Sequence, residues 1–354
     1  MTDKHEEEEE RIDMNALLTS TLMFFERQET GGMGEWAYLN GGREHLERFF
    51  ESEDYEANQE IHHIPEIARQ AFHILPKEFN LIELGPAKAF ESKTKSFLDE
   101  FNKLALDEGR EEQGMQKYFA LDIVPEYAED ARDEIQKSYH VASKAVIADY
   151  TSITEPVSNN SDTNVLISWN PPIWNAARDH TASPLFVYAD HLKKLGEIVG
   201  EGGYVIITHY PMHNAERMQN TYMDENNEKA VLAIPALIQK HLNPTITISE
   251  ESADKPKSAK NVKLQDCFNF EASIEEAGVG IVNMSLVSKY DFTVEIGQHF
   301  KKTIKAGEHF TPVSSAKPRT DQLNDMAQKA GFKVQQGIPD KNGRIVGQIL
   351  KYAP

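Results

Sequence analysis

Residues 80–85 read NLIELG, and this stretch decides the fold. A short apolar run that ends in glycine, with helical spacing over about residues 91–106 after it, is typical of a buried strand and its crossover helix. Four further strand-sized runs follow, at residues 117–123, 145–148, 164–169 and 203–208. Helical stretches over residues 125–138 and 183–199 lie between some of them. Strands that alternate with helices predict an α/β fold with a Rossmann-like, doubly wound parallel sheet.

The last part of the chain predicts how this sheet ends. A helix over residues 320–330 precedes two strands, at residues 332–338 and 344–351, and the turn between the strands contains Asn342-Gly343. Asn-Gly is a strong signal for a tight antiparallel hairpin. We therefore predict that the sheet, which otherwise resembles that of class I methyltransferases, ends in an antiparallel hairpin.

The segment between these two parts does not alternate in this way. It contains helical stretches at residues 214–222 and 227–241, a loop rich in Pro, Ser and Lys at 243–260, and three strands joined by short turns at 279–289, 292–296 and 300–305. We predict an inserted α+β domain that binds substrate. The full predicted division is a disordered acidic tail at 1–12, an N-terminal helical segment at 13–75 that contributes to the active site, a cofactor-binding core at 76–210 and 318–354, and the insert at 211–317.

Composition excludes several classes of protein. The chain has 37 Lys and Arg against 57 Asp and Glu, a formal net charge of −20, so we expect no nucleic-acid partner. No apolar run approaches the roughly 18 residues that a membrane span needs, and the acidic start does not resemble a secretory signal. The single cysteine, Cys267, cannot form an internal disulfide. We therefore expect a reducing, cytoplasmic location and no membrane partner, and the oligomeric state stays open.

Polar residues follow the first three predicted strands at the carboxyl edge, where open parallel sheets bind ligands. Gly85 ends the first strand, Asp122 ends the second, and Asp149-Tyr150 follows the third. A carboxylate after the second strand is placed to accept both ribose hydroxyls, and an Asp beside an aromatic residue after the third is placed to hold an adenine. Each residue alone is also explained as a turn or helix cap. The ordered set predicts a ligand that contains adenosine.

The first turn distinguishes among adenosine ligands. The chain has no G-x-G-x-x-G after this strand and no G-x-x-x-x-G-K-[ST], and Pro86 removes an amide donor that a pyrophosphate needs. S-adenosylmethionine carries no phosphate, and Lys93 is placed to reach its carboxylate, although Lys93 is equally explained as an exposed helix lysine. We predict S-adenosylmethionine as the cofactor. The histidines show no ligand spacing for a metal, and we expect none to be bound.

A set of short segments has a recognisable order and spacing. The set comprises residues 36–38, 54–60, 83–85, 92–95, 121–122, 148–150, 172–175, 283–288, 307–308, 313–314 and 330–332. In these segments the chain, from about Trp36 to Tyr352, resembles the S-adenosylmethionine-dependent histidine Nα-methyltransferases of ergothioneine biosynthesis and related amino acid N-methyltransferases. The resemblance implies methyl transfer to the amino group of an amino acid or a related small amine.

The resemblance also implies roles for particular residues. The implied cofactor-binding residues are Gly85, Lys93, Asp122, Asp149 and Tyr150. The implied substrate site comprises Tyr38 and Tyr55 as catalytic residues, Asn175 and Tyr222 at the substrate carboxylate, and Met284 and Ser314 in the amine and side-chain pocket. Some of these residues have a purely structural explanation as well: Tyr38, Tyr55 and Met284 as core residues, and Asn175 as a helix cap.

Two departures from the family pattern bear on function. Residues 86–90 replace a shorter, glycine-rich loop, and Pro312 stands where the histidine-specific enzymes carry an imidazole-binding Glu. Because proline has no side-chain acceptor, we expect a substrate other than histidine. The altered loop leaves two alternatives open: a non-catalytic, methyltransferase-like binding protein, or an enzyme that transfers another group from S-adenosylmethionine.

Overall fold

A computed structural model describes residues 12–26, 29–52, 55–86, 93–110, 114–158, 163–179, 183–249, 262–276, 278–298 and 300–354. Apart from residue 12, the predicted acidic tail lies outside the described residues, and so do residues 87–90 of the altered loop and most of the predicted loop at 243–260.

The helices among the described residues fall close to their predicted positions. They are α1 (Met14–Glu26), α2 (Gly42–Phe50), α3 (Ile64–Ile74), α4 (Lys93–Asp107), α5 (Pro125–Tyr139), α6 (Pro184–Val199), α7 (Ala215–Tyr222), α8 (Glu225–Leu242) and α9 (Thr320–Lys329). Short 3-10 turns occur at Gly34–Tyr38, Glu56–His62, Tyr150–Ser152, Pro172–Asn175 and Leu264–Cys267. No helix among the described residues combines the length and the apolar character that a membrane crossing requires.

The strands divide between one large sheet and smaller ones. In chain order they are β1 (Glu29–Thr30), β2 (Glu78–Leu84), β3 (Gly114–Asp122), β4 (Ala142–Ile147), β5 (Thr163–Ser168), β6 (Arg178–Asp179), β7 (Tyr204–His209), β8 (Thr245–Ile248), β9 (Phe268–Glu275), β10 (Gly280–Ser288), β11 (Phe292–Ile296), β12 (Phe300–Ile304), β13 (His309–Lys317), β14 (Phe332–Pro339) and β15 (Val346–Tyr352). The large sheet has the order β14-β15-β7-β5-β2-β3-β4.

The large sheet confirms the predicted doubly wound architecture. Strands β4, β3, β2, β5 and β7 are parallel, whereas β15 is antiparallel to both β7 and β14. In chain order, β2 is the first strand of this sheet, and β3 and β4 follow on one side of it. The direction then reverses, and β5 and β7 lie on the other side of β2. This reversal places the topological switch point beside β2, where sheets of this kind bind ligands.

Side chains of β2 explain why this strand is central. Leu81 packs with α3, α4 and α5 on one face of the sheet, and Ile82 packs with α6 and α9 on the other. A strand that is covered on both faces must be apolar on both, which is why residues 80–84 read as a nearly continuous apolar run. The exceptions are Asn80 and Glu83, which are both buried, and Glu83 is discussed below.

The insert differs from the prediction in its strand pairing. The prediction that β10, β11 and β12 form one run of hairpins is wrong for β10, which pairs with β9 and β13, whereas β11 pairs with β12 and β8. Strands β8, β9 and β13 were not predicted. Their pairing joins residues far apart in the chain, and local periodicity carries no information on such partners.

Strand β13 was missed because it contains Pro312. Proline is confined to edge strands and irregular positions, and β13 is the edge strand of the β13-β10-β9 sheet, next to a register shift opposite Met284. Residues 31–33 cover this edge: the amides of Gly31 and Met33 donate to the carbonyls of Thr311 and Pro312, each at 2.9 Å.

The N-terminal segment packs in two directions. Helices α1 and α2 share a core with α8 and both small sheets of the insert, through side chains such as Phe25 and Phe49. Helix α3 packs against the large sheet instead, through Ile67 and Phe72. The segment therefore connects the insert to the sheet across the region where the site residues lie.

Candidate active site

The carboxyl edge of the large sheet brings together a tight glycine turn and a carboxylate. Gly85 follows β2 in a left-handed conformation, with φ of 69°, and its amide donates to the carbonyl of Leu121 at 2.9 Å. Asp122 ends the neighbouring β3, and its Oδ1 accepts a hydrogen bond from the amide of Val124 at 2.9 Å. Only glycine adopts this φ freely, and because it has no side chain, a ligand could approach the backbone closely at this turn.

The residues after β4 complete this edge. Asp149 is exposed and caps the turn Tyr150–Ser152, because its Oδ1 accepts from the amide of Thr151 at 2.8 Å. The Tyr150 hydroxyl shares a hydrogen bond of 2.7 Å with Nδ1 of His191, which orients the Tyr150 ring. Burial, with a contribution from Asp149, raises the pKa of Tyr150, so its phenol stays neutral.

Lys93 begins α4, as predicted, and forms an ion pair with the N-terminal segment. Its ammonium lies 2.6 Å from Oε2 of Glu60, a fully buried carboxylate on the 3-10 turn Glu56–His62. The side chain of Lys93 is only 16% exposed. Lys93 therefore holds the N-terminal segment against the start of α4, and its role toward the cofactor carboxylate stays a prediction.

The edge fits an adenosine-type cofactor by the chemistry of its groups. Asp122 and Asp149 offer carboxylate acceptors, Tyr150 offers a fixed aromatic ring, and Gly85 allows close approach of the backbone. Glu35, on the turn Gly34–Tyr38, lies close enough to Asp149 for that charge, together with burial, to raise the pKa of Glu35. The N-terminal segment therefore reaches over this edge.

Glu83 anchors a buried network beneath the edge. The hydroxyls of Thr94 and Tyr118 donate to its two carboxylate oxygens, each at 2.5 Å, and the indole of Trp169 donates to Thr94 Oγ1 at 2.8 Å. Burial raises the pKa of Glu83 to about 7, against the opposing effect of the two hydroxyl donors. The network ties β2 to β3, to α4 and to the end of β5.

The Glu83→Gln variant should change how stability depends on pH. The folded chain keeps a proton on Glu83 up to about pH 7, whereas the unfolded chain loses it near the ordinary value of 4.5, so the parent loses stability as pH rises through this window. Glutamine does not titrate. Relative to the parent, the variant should gain on the order of 3 kcal/mol between pH 5 and pH 8 in urea unfolding. Parallel profiles would contradict this, and exposed Glu78→Gln on the same strand is the control.

The two predicted catalytic residues lie within electrostatic range of each other, and Tyr38 lies within range of Asp122 at the sheet edge. The charge of Asp122 reaches Tyr38 and, together with the larger effect of burial, raises the pKa of Tyr38 to about 12. Burial, Tyr222 and Tyr38 raise the pKa of Tyr55 well above its ordinary value. Both phenols therefore stay protonated at neutral pH, so they can form hydrogen bonds but are not ionised to serve as bases.

Asn170 is a site residue that the sequence argument missed. It follows β5 with φ of 55°, and its Nδ2 donates to the Tyr55 hydroxyl at 3.0 Å. The signal was present in the sequence, because an Asn before two prolines directly after a strand is expected in a fixed turn at the ligand edge. A left-handed conformation at a non-glycine residue is typical of functional sites.

Tyr222 extends this cluster away from the cofactor edge. Its ring lies 6.3 Å from that of Tyr55 and 5.5 Å from that of Phe49, between centroids. The ammonium of Lys317 lies 5.3 Å from the Tyr222 ring centre and 5.6 Å from that of Tyr210. Asp122, Tyr38 and Tyr55 thus lie within range of one another's electrostatic influence, and Tyr222 and Lys317 continue this line from Tyr55 through ring contacts.

The other predicted substrate residues do not all join this line. Met284 is buried directly opposite Val313 in the β10–β13 pair, whereas Ser314 is opposite Asn283, so Met284 and Ser314 point to opposite faces of the sheet. The Ser314 hydroxyl is buried against Gly31, whose hypothetical Cβ would lie 2.6 Å from it. Asn175 ends the turn Pro172–Asn175 and is exposed.

Other chemistries find less support in the described residues. Within those ranges no group of three or more His, Cys, Asp and Glu side chains is arranged to hold a metal ion. Cys267 is buried, and burial raises the pKa of its thiol to about 12, so it is a poor nucleophile.

Comparison with known proteins identifies the family. A model of S-adenosylmethionine-dependent histidine-specific methyltransferases matches residues 33–351. A comparison with curated protein sequences finds no match. Among solved structures, the chain is similar to an S-adenosylmethionine-dependent methyltransferase from Clostridium acetobutylicum (10% identity, 82% of this chain and 91% of that one, TM-score 0.41). It is also similar to the sugar N-methyltransferase KedS8 from Streptoalloteichus (10% identity, 87% and 93%, TM-score 0.38).

These structural likenesses are distant and carry no argument about substrate. The family match is different, because it spans most of the chain. It includes the carboxyl edge of the large sheet, the insert, and Tyr38, Tyr55 and Tyr222. It shows that this chain belongs to the S-adenosylmethionine-dependent histidine-specific methyltransferase family and that its cofactor is S-adenosylmethionine.

Proposed function

We propose that this methyltransferase acts on the amino group of an amino acid or a related small amine, and that this acceptor is not histidine. The observation that carries the proposal is the line of side chains from Asp122 at the cofactor edge through Tyr38 and Tyr55 to Tyr222. This line supports the proposal, because an acceptor amine bound between the cofactor edge and the insert would meet phenols that can hydrogen-bond to it.

S-adenosylmethionine supplies a methyl group on a positively charged sulfur, so transfer breaks the S–C bond, forms an N–C bond and releases a proton from the nitrogen. The chain positions the reactants, which is worth roughly 7–11 kcal/mol in well-oriented reactions. Tyr55, held by Asn170, and Tyr38 orient the amine by hydrogen bonds. Because burial raises the pKa values of Tyr38 and Tyr55, both phenols keep their own protons at neutral pH. In this proposal the proton released from the acceptor nitrogen therefore passes to water.

The side chains of β13 disfavour histidine as the methyl acceptor. On β13, Val313 lies opposite Met284, and Ser315 and Lys317 share that face. Neither Pro312 nor its neighbour Val313 has a side chain that accepts a hydrogen bond from an imidazole. The positive charge of Lys317 on the same face of β13 disfavours a methyl acceptor with a basic side chain.

The direct test is a panel of L-amino acids and small amines with isotopically labelled S-adenosylmethionine and detection by mass spectrometry. We expect a product that is heavier by one or more methyl groups. A product that carries the larger aminocarboxypropyl group, or no labelled product from any acceptor, would overturn the proposal.

Variants at the predicted carboxylate contacts test the binding mode of the acceptor. Asn175→Ala and Tyr222→Phe, at saturating cofactor, should each raise the KM for the acceptor roughly 10- to 100-fold, because each removes a hydrogen bond to a charged group. Tyr290→Phe, on the turn after β10, is the matched control and should leave KM unchanged. If both site variants keep the parent KM, Asn175 and Tyr222 do not anchor the acceptor.

A further inference from the structure

A group of buried polar side chains lies between α6 and the β13-β10-β9 sheet of the insert. Arg178 on β6 is 7% exposed, and its Nη2 donates to Oε2 of Glu275 on β9 at 3.1 Å. The side-chain amide of Asn283 on β10 donates to the same oxygen at 3.4 Å. Burial raises the pKa of Tyr188 on α6 to about 12, and the charges of Arg178 and Glu275 act on it as well. These four side chains are therefore neighbours, although they come from four separate elements.

Strand pairing adds Ser314 to this group. Asn283 lies directly opposite Ser314, and antiparallel partners of this kind have Cβ atoms about 4.5–5.5 Å apart. Ala316, on the same face of β13 as Ser314, packs in one core with Tyr188. Ser314 is itself buried against Gly31, which follows β1, and β1 pairs with β6, the strand that contains Arg178.

Four polar atoms of this group have no hydrogen-bond partner among the described residues. They are Nε of Arg178, the hydroxyl oxygens of Tyr188 and Ser314, and Oδ1 of Asn283, and all four are shielded from solvent. A buried polar atom without a partner costs about 1–3 kcal/mol, so folded proteins satisfy most of them. Four such atoms in one group are typical of a place where a polar ligand binds.

The donors and acceptors of this group specify the chemistry of the ligand. Nε of Arg178 only donates, and the Tyr188 hydroxyl can donate beside it. Because a carboxylate only accepts, the Asn283 amide turns its nitrogen to Glu275 and keeps its oxygen as an acceptor, and the Ser314 hydroxyl can accept as well. The oxygen of a primary carboxamide accepts two hydrogen bonds and its nitrogen donates two, so one carboxamide satisfies all four atoms.

The charges of this group disfavour an ionised ligand. Arg178 is already neutralised by Glu275, so a carboxylate would bring a second, uncompensated negative charge into a buried place. It would also meet the Asn283 oxygen, which is an acceptor and gives it no hydrogen bond. A cationic group would lie against the Arg178 guanidinium, and like charges repel strongly where water is excluded. An uncharged carboxamide has neither disadvantage.

The group lies near a predicted contact for the methyl acceptor. Arg178 is three residues after Asn175, in the segment between β5 and α6. Three residues span at most about 11 Å even when the chain is fully extended. A single amino acid can therefore extend from Asn175, the predicted contact for its carboxylate, toward Arg178.

We propose that Arg178, Tyr188 and Asn283 bind a primary carboxamide on the side chain of the methyl acceptor. This inference rests on the proposed function and makes it narrower: the acceptor is an amino acid whose side chain ends in a carboxamide. Arg178 and Tyr188 donate to the carboxamide oxygen, and Asn283 accepts from its nitrogen. Glu275 positions both Arg178 and Asn283 through the oxygen that they share.

Steady-state kinetics of the parent protein tests the inference first. At saturating S-adenosylmethionine, L-asparagine and L-glutamine are each compared with the corresponding acid and with L-leucine, which matches asparagine in shape. The better carboxamide should exceed its acid and leucine in kcat/KM on the order of 100-fold or more, because both alternatives leave buried polar atoms unpaired. A carboxamide that is no better than its acid and leucine overturns the inference.

Two variants then test the residues. Tyr188→Phe removes only a hydroxyl without a partner in the described protein, so the thermal midpoint should stay unchanged or rise. The kcat/KM for the carboxamide, divided by that for leucine, should fall about 3- to 10-fold in Tyr188→Phe and on the order of 10- to 100-fold in Arg178→Met. This ratio, measured on one preparation, does not depend on the fraction of the protein that is folded. An unchanged ratio in either variant overturns the inference.

Matched substitutions elsewhere in the chain are the controls. Tyr290→Phe, on the turn after β10, and Arg48→Met, in an exposed ion pair on α2, should leave the ratio unchanged. Isothermal titration calorimetry of both carboxamides with the full-length protein, loaded with S-adenosylhomocysteine, separates this inference from the proposed function. Binding that Arg178→Met weakens and Arg48→Met keeps, without methylation of any amine, would refute the proposed function while the carboxamide site stands. N-methylation without preference for a carboxamide would refute the site while the proposed function stands.

Discussion

Asp122→Ala is expected to weaken binding of S-adenosylmethionine on the order of 100- to 1000-fold. We predict that this carboxylate accepts both ribose hydroxyls of the cofactor, and each hydrogen bond to a charged group is worth about 1.5–3 kcal/mol. Isothermal titration calorimetry with S-adenosylmethionine and S-adenosylhomocysteine measures the effect. The parent should bind both ligands, which also tests the alternative of a non-catalytic, methyltransferase-like binding protein.

The control for this prediction is Asp130→Ala. Asp130 is exposed on α5, so its replacement removes the same formal charge from the same region without touching the carboxyl edge of the sheet. It should leave the Kd unchanged. Because Asp122 also accepts from the Val124 amide at the start of α5, the thermal midpoint of Asp122→Ala must be measured as well. A parent-like Kd in a folded Asp122→Ala protein would remove Asp122 from the cofactor site.

Glu60→Leu is expected to destabilise the fold by about 3–5 kcal/mol, because it leaves the Lys93 ammonium largely buried without its partner. Urea unfolding at neutral pH measures this loss. The Glu60→Leu/Lys93→Met double variant should recover most of it, since an apolar pair of similar size carries no uncompensated charge. Additive losses in the double variant would show that the two side chains act independently.

An exposed ion pair provides the matched control for Glu60. Glu225 and Lys229 on α8 are 2.6 Å apart, yet both side chains are largely in solvent. Glu225→Leu should change stability little, because exposed pairs are screened by water and salt. A loss there comparable to that of Glu60→Leu would mean that burial of the Glu60–Lys93 pair is not the source of its effect.

The large sheet was predictable because its signals are local. The apolar run at 80–84, Pro125 at the start of α5 and Asn342-Gly343 near the final hairpin each restrict the backbone over a few residues. The family match confirms the family that the resemblance indicated, and the strand order confirms the fold class. The predicted domain boundaries stay a prediction. Packing nevertheless shows that α3, placed in the N-terminal segment, contacts the large sheet.

The candidate site was predictable only in part. Gly85, Asp122, Asp149 and Tyr150 follow strands whose ends are visible in the sequence, so their common edge could be inferred. Glu60 and Lys317 gave no such signal. Lys317 lies at the end of an edge strand that was not predicted, and Glu60 meets Lys93 from a segment 33 positions earlier in the chain.

The sequence by itself determined the sheet, its final hairpin and the cofactor class, because each depends on residue type, on short spacing or on resemblance to a known family, whereas the roles of Tyr38, Tyr55 and Tyr222 stay predictions. The tertiary structure alone decided three things: the pairing of β10 with β9 and β13, the commitment of Lys93 to Glu60, and the isolation of Lys317 from any acid among the described residues. The reason is physical. Whether a charge is paired or a side chain faces a pocket depends on which distant segments exclude water around it, and burial of that kind exists only after the chain has folded.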